Sequence, residues 1–316
     1  MISDTAIQET MAMGRKQAES IISFRDKELK KRNDAITALP KSARRIATLE
    51  PRMMAMQKLL GPQANDVLVA EGDSWFDYPL HDVLRILEDH YGYDIESVSN
   101  KGDRVEDMAY SDGQLEEFTR RIEKVLRNGS VPRAILLSGG GNDLAGKEFG
   151  MLLNHAESAI AGLNRTIVDG IINERLKIAY VFIISKITNV CQMRIGHSLP
   201  IIVHGYDHPV PDGRGFLGGW WFLPGPWLEP GFREKGFDID RLQVRIGIAK
   251  ELIDCFNAML SEVVSLPEFT HVHYIDLRDT LSAANNYKDD WDNELHPSES
   301  GFEKVTRRFA QVIDGL

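Results

Sequence analysis

Val67-Leu68-Val69-Ala70-Glu71-Gly72-Asp73-Ser74-Trp75 is an apolar run that stops at a glycine and then presents a hydroxyl. Short aliphatic stretches bounded by Gly and Asp read as buried strands of a parallel sheet. In open α/β sheets ligands bind beyond the carboxyl ends of the strands, and a tight turn there lets a serine project into the crevice. Ser74 is therefore the candidate nucleophile. Outward from this stretch, β-branched runs at 66–72, 94–99, 134–138, 199–204 and 271–276 alternate with helical patterns at 80–91, 114–128, about 155–195, 240–264 and 299–313. That alternation marks βαβ units. It predicts a three-layer α/β/α sandwich around a mainly parallel five-stranded sheet. No fixed-period repeat is visible.

Three later blocks supply what an isolated serine lacks: Asn100-Lys101-Gly102, Gly140-Gly141-Asn142-Asp143 and Asn293-Glu294-Leu295-His296-Pro297. A hydroxyl attacks poorly unless a base takes its proton, and histidine suits that task near neutrality. His296 follows the fifth predicted strand and precedes Ser298, a residue suited to cap the last helix, so it belongs at the same sheet edge as Ser74. Attack on an acyl carbon also creates an oxyanion that needs preorganised donors. Gly102 offers a backbone N–H in a turn, Asn142 an amide after three glycines, and Ser74 its own N–H.

In this order the four blocks resemble the SGNH (GDSL-type) hydrolase family over about residues 66–313. The resemblance implies an SGNH-type fold, a serine esterase activity without cofactor or metal, and roles for Ser74 as nucleophile, His296 as base, and Gly102 and Asn142 as oxyanion donors. Its substrates would be small-molecule, lipid or carbohydrate esters. One position departs from the family pattern: three residues before the histidine, where an aspartate is usual, stands Asn293. An amide oxygen orients an imidazole but does not neutralise an imidazolium, and in serine proteases the same change costs ~10⁴ in turnover. Asp292, Glu294 or a bare Ser–His dyad remain open beside Asn293. A pseudo-hydrolase binding module is the competing reading.

Residues 1–60 read differently from 61–316. A proline-free, charge-rich segment from Thr5 to Thr37 predicts one long helix with a thin apolar stripe, followed by a shorter one; it suits packing on the outside of the hydrolase domain, or else oligomerisation or recruitment of a protein partner. A glycine- and proline-rich insertion at about 205–236 carries Trp220, Trp221 and Trp227. Leaving a strand end without a helix of its own, it is expected to wall or cover the Ser74 crevice, its tryptophans binding substrate.

Composition fits this frame: 43% hydrophobic and 27% charged residues are globular values. A net charge of −10 disfavours nucleic acid as a partner. Cys191 and Cys255 sit in apolar helical patterns and read as buried reduced thiols. With no signal-like segment and no apolar stretch long enough to span a bilayer, a cytoplasmic location is expected. The glycines at 139–141 lack a following Gly-Lys-Ser/Thr, which disfavours nucleotide, and His204 and His208 have only a weak metal-like spacing.

Overall fold

The computed structural model describes residues 2–38, 65–111, 113–146, 148–218, 223–284 and 286–316. Five strands, β1 (Asn65–Glu71), β2 (Tyr93–Ser97), β3 (Ala134–Leu137), β4 (Ile201–His204) and β5 (Val272–Ile275), form one parallel sheet in the order β2-β1-β3-β4-β5. This is the flavodoxin-like order, whose crevice opens where β1 and β3 diverge to opposite sides. Ala134, Ile135, Leu136 and Leu137 of β3 are all buried, as a central parallel strand covered on both faces requires.

On one face lie α2 (Val83–Tyr91) and α7 (Glu299–Asp314), packed on each other. The other face carries α3 (Val105–Tyr110), α4 (Gln114–Arg127), α5 (Lys177–Ile195) and α6 (Leu242–Val264). Helix α4 shows the spacing that drives this: Leu115, Phe118, Thr119, Ile122, Val125 and Leu126 are buried on one side. The apolar run Ala179–Ile184 in α5 is buried on every side. Its outer surface is covered by the N-terminal helix α1 (Asp4–Ala38), which lays Ile7, Thr10, Gly14 and Ala18 against it. Lys186, fully buried on α5, donates at 2.9 Å to both Gln17 Oε1 of α1 and Glu116 Oε1 of α4, so α1 also supplies one of the two acceptors that this buried ammonium finds. The first part of α1 is thus packed on the domain; the shorter helix expected after Pro40 lies outside the described residues.

Three expectations need correction. The helical pattern from 155 starts only at Arg165, because residues 153–163 form a two-stranded antiparallel turn-back, Leu153–Asn154 with Gly162–Leu163. The 205–236 insertion does contain a helix, Glu229–Glu234, which begins at a proline-bearing first turn where a missing N–H costs nothing. Cys191 is buried, but Cys255 is half-buried on α6.

Candidate active site

Strand β1 ends at Glu71, and Gly72 is forced by crowding. A Cβ there would lie 2.6 Å from Ser138 Cβ and 2.9 Å from the Phe76 ring. The chain then turns on Asp73, whose Oδ1 accepts the Trp75 N–H at 3.0 Å and the Ser138 hydroxyl at 2.7 Å while Oδ2 accepts the Tyr206 hydroxyl at 2.5 Å. These three bonds hold the loop that presents half-buried Ser74 to the crevice.

His296 arrives from the other end of the sequence. Ser298 caps α7 by accepting the Gly301 N–H at 3.1 Å, a bond of the kind worth ~1 kcal/mol, and this fixes where the preceding loop ends. Ser74 Oγ and His296 Nε2 are 2.7 Å apart. On the opposite side of the ring, His296 Nδ1 is 2.9 Å from Asn293 Oδ1. That oxygen also accepts the backbone N–H groups of Leu295 and His296, each at 3.0 Å. Two backbone donors fix which end of the amide faces the ring. An oxygen only accepts, so Nδ1 carries the imidazole proton and Nε2 presents its lone pair to the serine hydroxyl.

The flanking acids take different places. Asp292 Oδ2 accepts from the Tyr78 hydroxyl at 2.7 Å and from Asn293 Nδ2 at 3.2 Å, so it supports Asn293 from behind and does not contact the ring. Tyr78 Oη also accepts from Asn293 Nδ2 at 2.9 Å. Glu294 turns away altogether. Its buried carboxylate receives the N–H groups of Gly213, Trp227, Leu228 and Glu229, clasping the 205–236 insertion to the histidine loop. Burial pushes the Glu294 carboxyl up to about 7, against the lowering effect of those four donors.

Aromatic rings enclose His296. Tyr78 stacks on His296 with centroids 4.4 Å apart, and Trp227 meets it edge-on at 5.3 Å. With no carboxylate hydrogen-bonded to the ring among the described residues, desolvation alone lowers the His296 pKa to about 3, so the ring is neutral and ready to accept a proton throughout the neutral range.

Ser74, Asn142 and His296 line one cavity of about 590 Å³, counting the part open to solvent. Beyond the polar mouth its wall is Leu144, Ala145, Phe149, Leu228, Leu252, Ile253 and Trp291. The side-chain amide of Asn142 gives one N–H to Asp103 O at 3.0 Å, leaving the second for a ligand. Gly102 is not on the cavity wall. It occupies the adjoining turn with φ +92°, a left-handed conformation that favours glycine. Asn100 N–H ties that turn to Gly72 O at 3.0 Å. Among the described residues the N–H groups of Ser74 and Gly102 donate to no protein acceptor. Trp220 and Trp221 lie outside the described residues.

Two features had no legible signal in the sequence. Tyr78 is an ordinary loop residue until the fold sets it on His296. The buried chain His204 Nε2 to Ser138 Oγ at 2.8 Å, then Ser138 to Asp73, joins residues far apart in sequence behind Ser74. His204 Nδ1 bonds Gly205 O at 2.7 Å and His208 Nε2 bonds Asp254 Oδ1 at 2.9 Å, so the two histidines serve separate partners.

No family model matches the sequence, and no curated protein matches it. Solved structures that resemble the fold include an extracellular lipase from Streptomyces rimosus, with TM-score 0.47 and 14% identity, covering 78% of this chain and 99% of that one. Another is Est24, a carbohydrate acetylesterase from Sinorhizobium meliloti, with TM-score 0.44 and 11% identity over 79% of this chain and 99% of that one. A third is a carbohydrate esterase family 3 protein from Talaromyces cellulolyticus, with TM-score 0.42 and 12% identity over 80% and 100% of the two chains. With its sheet order β2-β1-β3-β4-β5 and with Ser74, Gly102, Asn142 and His296 following β1, β2, β3 and β5 in turn, the chain has an SGNH-type α/β/α fold.

Proposed function

We propose that this protein is a serine esterase that hydrolyses a carboxylic ester having one apolar arm. The observation that carries the reading is the continuous chain Ser74 Oγ, His296 Nε2, His296 Nδ1, Asn293 Oδ1, with links of 2.7 and 2.9 Å. His296 takes the Ser74 proton as Oγ attacks the acyl carbon, and the Ser74 N–H, Gly102 N–H and Asn142 amide receive the oxyanion. The imidazolium returns its proton to the departing alcohol. Water, deprotonated by the same ring, then releases the acid and regenerates Ser74. Asn293 keeps the tautomer and ring orientation that these transfers need. Asp292, accepting from the Asn293 amide, polarises it so that Oδ1 is a stronger acceptor. The apolar chamber suits an acyl chain or an apolar alcohol, and Trp227, which meets His296 edge-on although it is not on the chamber wall, is the aromatic side chain of the insertion assigned to substrate contact.

Labelling with a fluorophosphonate probe tests the reading. Covalent modification confined to Ser74, together with hydrolysis of short p-nitrophenyl esters, supports it. Failure of the folded protein to react would instead favour a binding module that retains the pocket.

A further inference from the structure

One buried acid next to the nucleophile has no part in the proton transfers above. Glu71, the last residue of β1, is 1% exposed, and no ion pair reaches it among the described residues. Its Oε1 accepts the Gly72 N–H at 3.1 Å and, at 3.4 Å, the side-chain amide of Gln114. Among the described residues its Oε2 is buried without a hydrogen-bond partner. The same Gln114 amide donates at 2.5 Å to Asp103 Oδ2, and the Asp103 carbonyl is the acceptor for Asn142 Nδ2. The groups that face Glu71 are thus Asp103 from the turn after β2, Gln114 from the start of α4, and the Gly72 N–H. The charged one is an acid, and Asp73 adds a further negative charge facing Asp103. A carboxylate here would lack water, lack a cation and lie beside another carboxylate, three conditions that each favour the protonated form.

We propose that Glu71, held as a neutral carboxylic acid, is a positioning residue for the oxyanion site: through Gln114 and Asp103 it fixes the turn that carries Gly102 and the acceptor that orients Asn142. Its deprotonation, with the proton passing to solvent base, places two anions on either side of the Gln114 amide and pushes the turn outward. Hydrolysis then declines on the alkaline side while substrate binding in the apolar chamber, whose wall does not include Glu71, Asp103 or Gln114, is spared. This rests on the esterase reading. The burial that favours the acid raises its pKa to about 8, which sets where the decline begins.

The test compares the full-length protein with Glu71→Gln and Gln114→Leu. In the parent, kcat is expected to fall about tenfold per pH unit above pH 8, with KM flat. Glu71→Gln, a permanently neutral isostere, is expected to keep kcat within about threefold at pH 6.5 and to lose the alkaline decline. Gln114→Leu breaks the bridge at the edge of α4 and is expected to lower kcat at all pH values, by up to about 10²-fold. An unchanged alkaline limb in Glu71→Gln overturns the proposal, as does a large loss in that variant at pH 6.5. Melting temperature provides an arm independent of catalysis. A carboxyl with a raised folded pKa contributes stability that is present below its unfolded value of 4.5 and is lost as pH climbs through about 8. The parent should therefore lose melting temperature relative to Glu71→Gln between pH 6 and 9. Parallel melting curves overturn the neutral-acid assignment even if no ester is ever found; divergent curves in an inactive protein would leave Glu71 assigned and remove the esterase reading instead.

Discussion

Asn293 grips His296 twice: its Oδ1 accepts the main-chain N–H at 3.0 Å and lies 2.9 Å from Nδ1 of the ring. A residue that holds both the backbone and the ring of His296 sets its position and its tautomer together. Charge is the one thing it does not provide, and the remaining acids stand a residue away on either side.

The nucleophile is the first point of test. Ser74→Ala is expected to abolish hydrolysis of short p-nitrophenyl esters with the melting temperature unchanged, since among the described residues the hydroxyl hydrogen-bonds only to His296. Retention of more than about a hundredth of the activity would assign the attack to another group.

Asn142→Ala should lower kcat by ~10²–10³, the usual worth of one oxyanion donor. Steady-state rates on one ester check this. A drop in affinity alone would make Asn142 a binding residue.

The pH profile reports the missing acid. With His296 depressed to about 3, the acidic limb of kcat/KM is expected below about pH 5 rather than near the ordinary 6.5. The depressed pKa also gives a stability term with a definite sign. The unfolded imidazole takes a proton below 6.5 and the folded one does not, so this term is present above 6.5 and lost as pH falls toward about 3. Asn293→Asp alone sets two carboxylates side by side with Asp292. The exchange Asp292→Asn with Asn293→Asp keeps one charge and places it on the ring, and should move the acidic limb up by at least about one pH unit. An unmoved limb would mean that another group titrates.

Glu294→Ala removes the acceptor for four N–H groups, those of Gly213, Trp227, Leu228 and Glu229. Leaving buried donors unpaired costs about 1–3 kcal/mol each at most, with partial relief from water. A clear fall in melting temperature is expected, and hydrogen exchange should rise first at residues 213 and 227–229. If protection there is unchanged, Glu294 does not hold the insertion.

Trp227→Ala should raise KM or shift preference between short and long acyl esters, with a smaller change in kcat on the smallest substrate. A chain-length series is the measurement. A flat preference with a lower melting temperature would reduce Trp227 to packing around His296.

The sequence by itself determined the architecture and the order in which the candidate residues follow the strands. The 67–75 run, the alternation of aliphatic strands with amphipathic helices, and the strand-end positions of Ser74, Asn142 and His296 are local patterns, because burial of a parallel strand demands an apolar run and the fold places chemistry at its carboxyl end. Even the long α1 was visible, from helix formers without proline. Tertiary structure alone decided which neighbour serves His296. Asn293, Asp292 and Glu294 are adjacent in a loop with no periodicity, so their directions follow from what each can bond: Asn293 the ring, Asp292 the Tyr78 hydroxyl, Glu294 the amides of an insertion some eighty residues upstream. The same holds for the acids behind Ser74. Nothing along the chain links Glu71 to Asp103 and Gln114, and their contact arises because β1, the turn after β2 and the start of α4 meet at one sheet edge, where the energy of burying a carboxyl depends on which groups happen to face it.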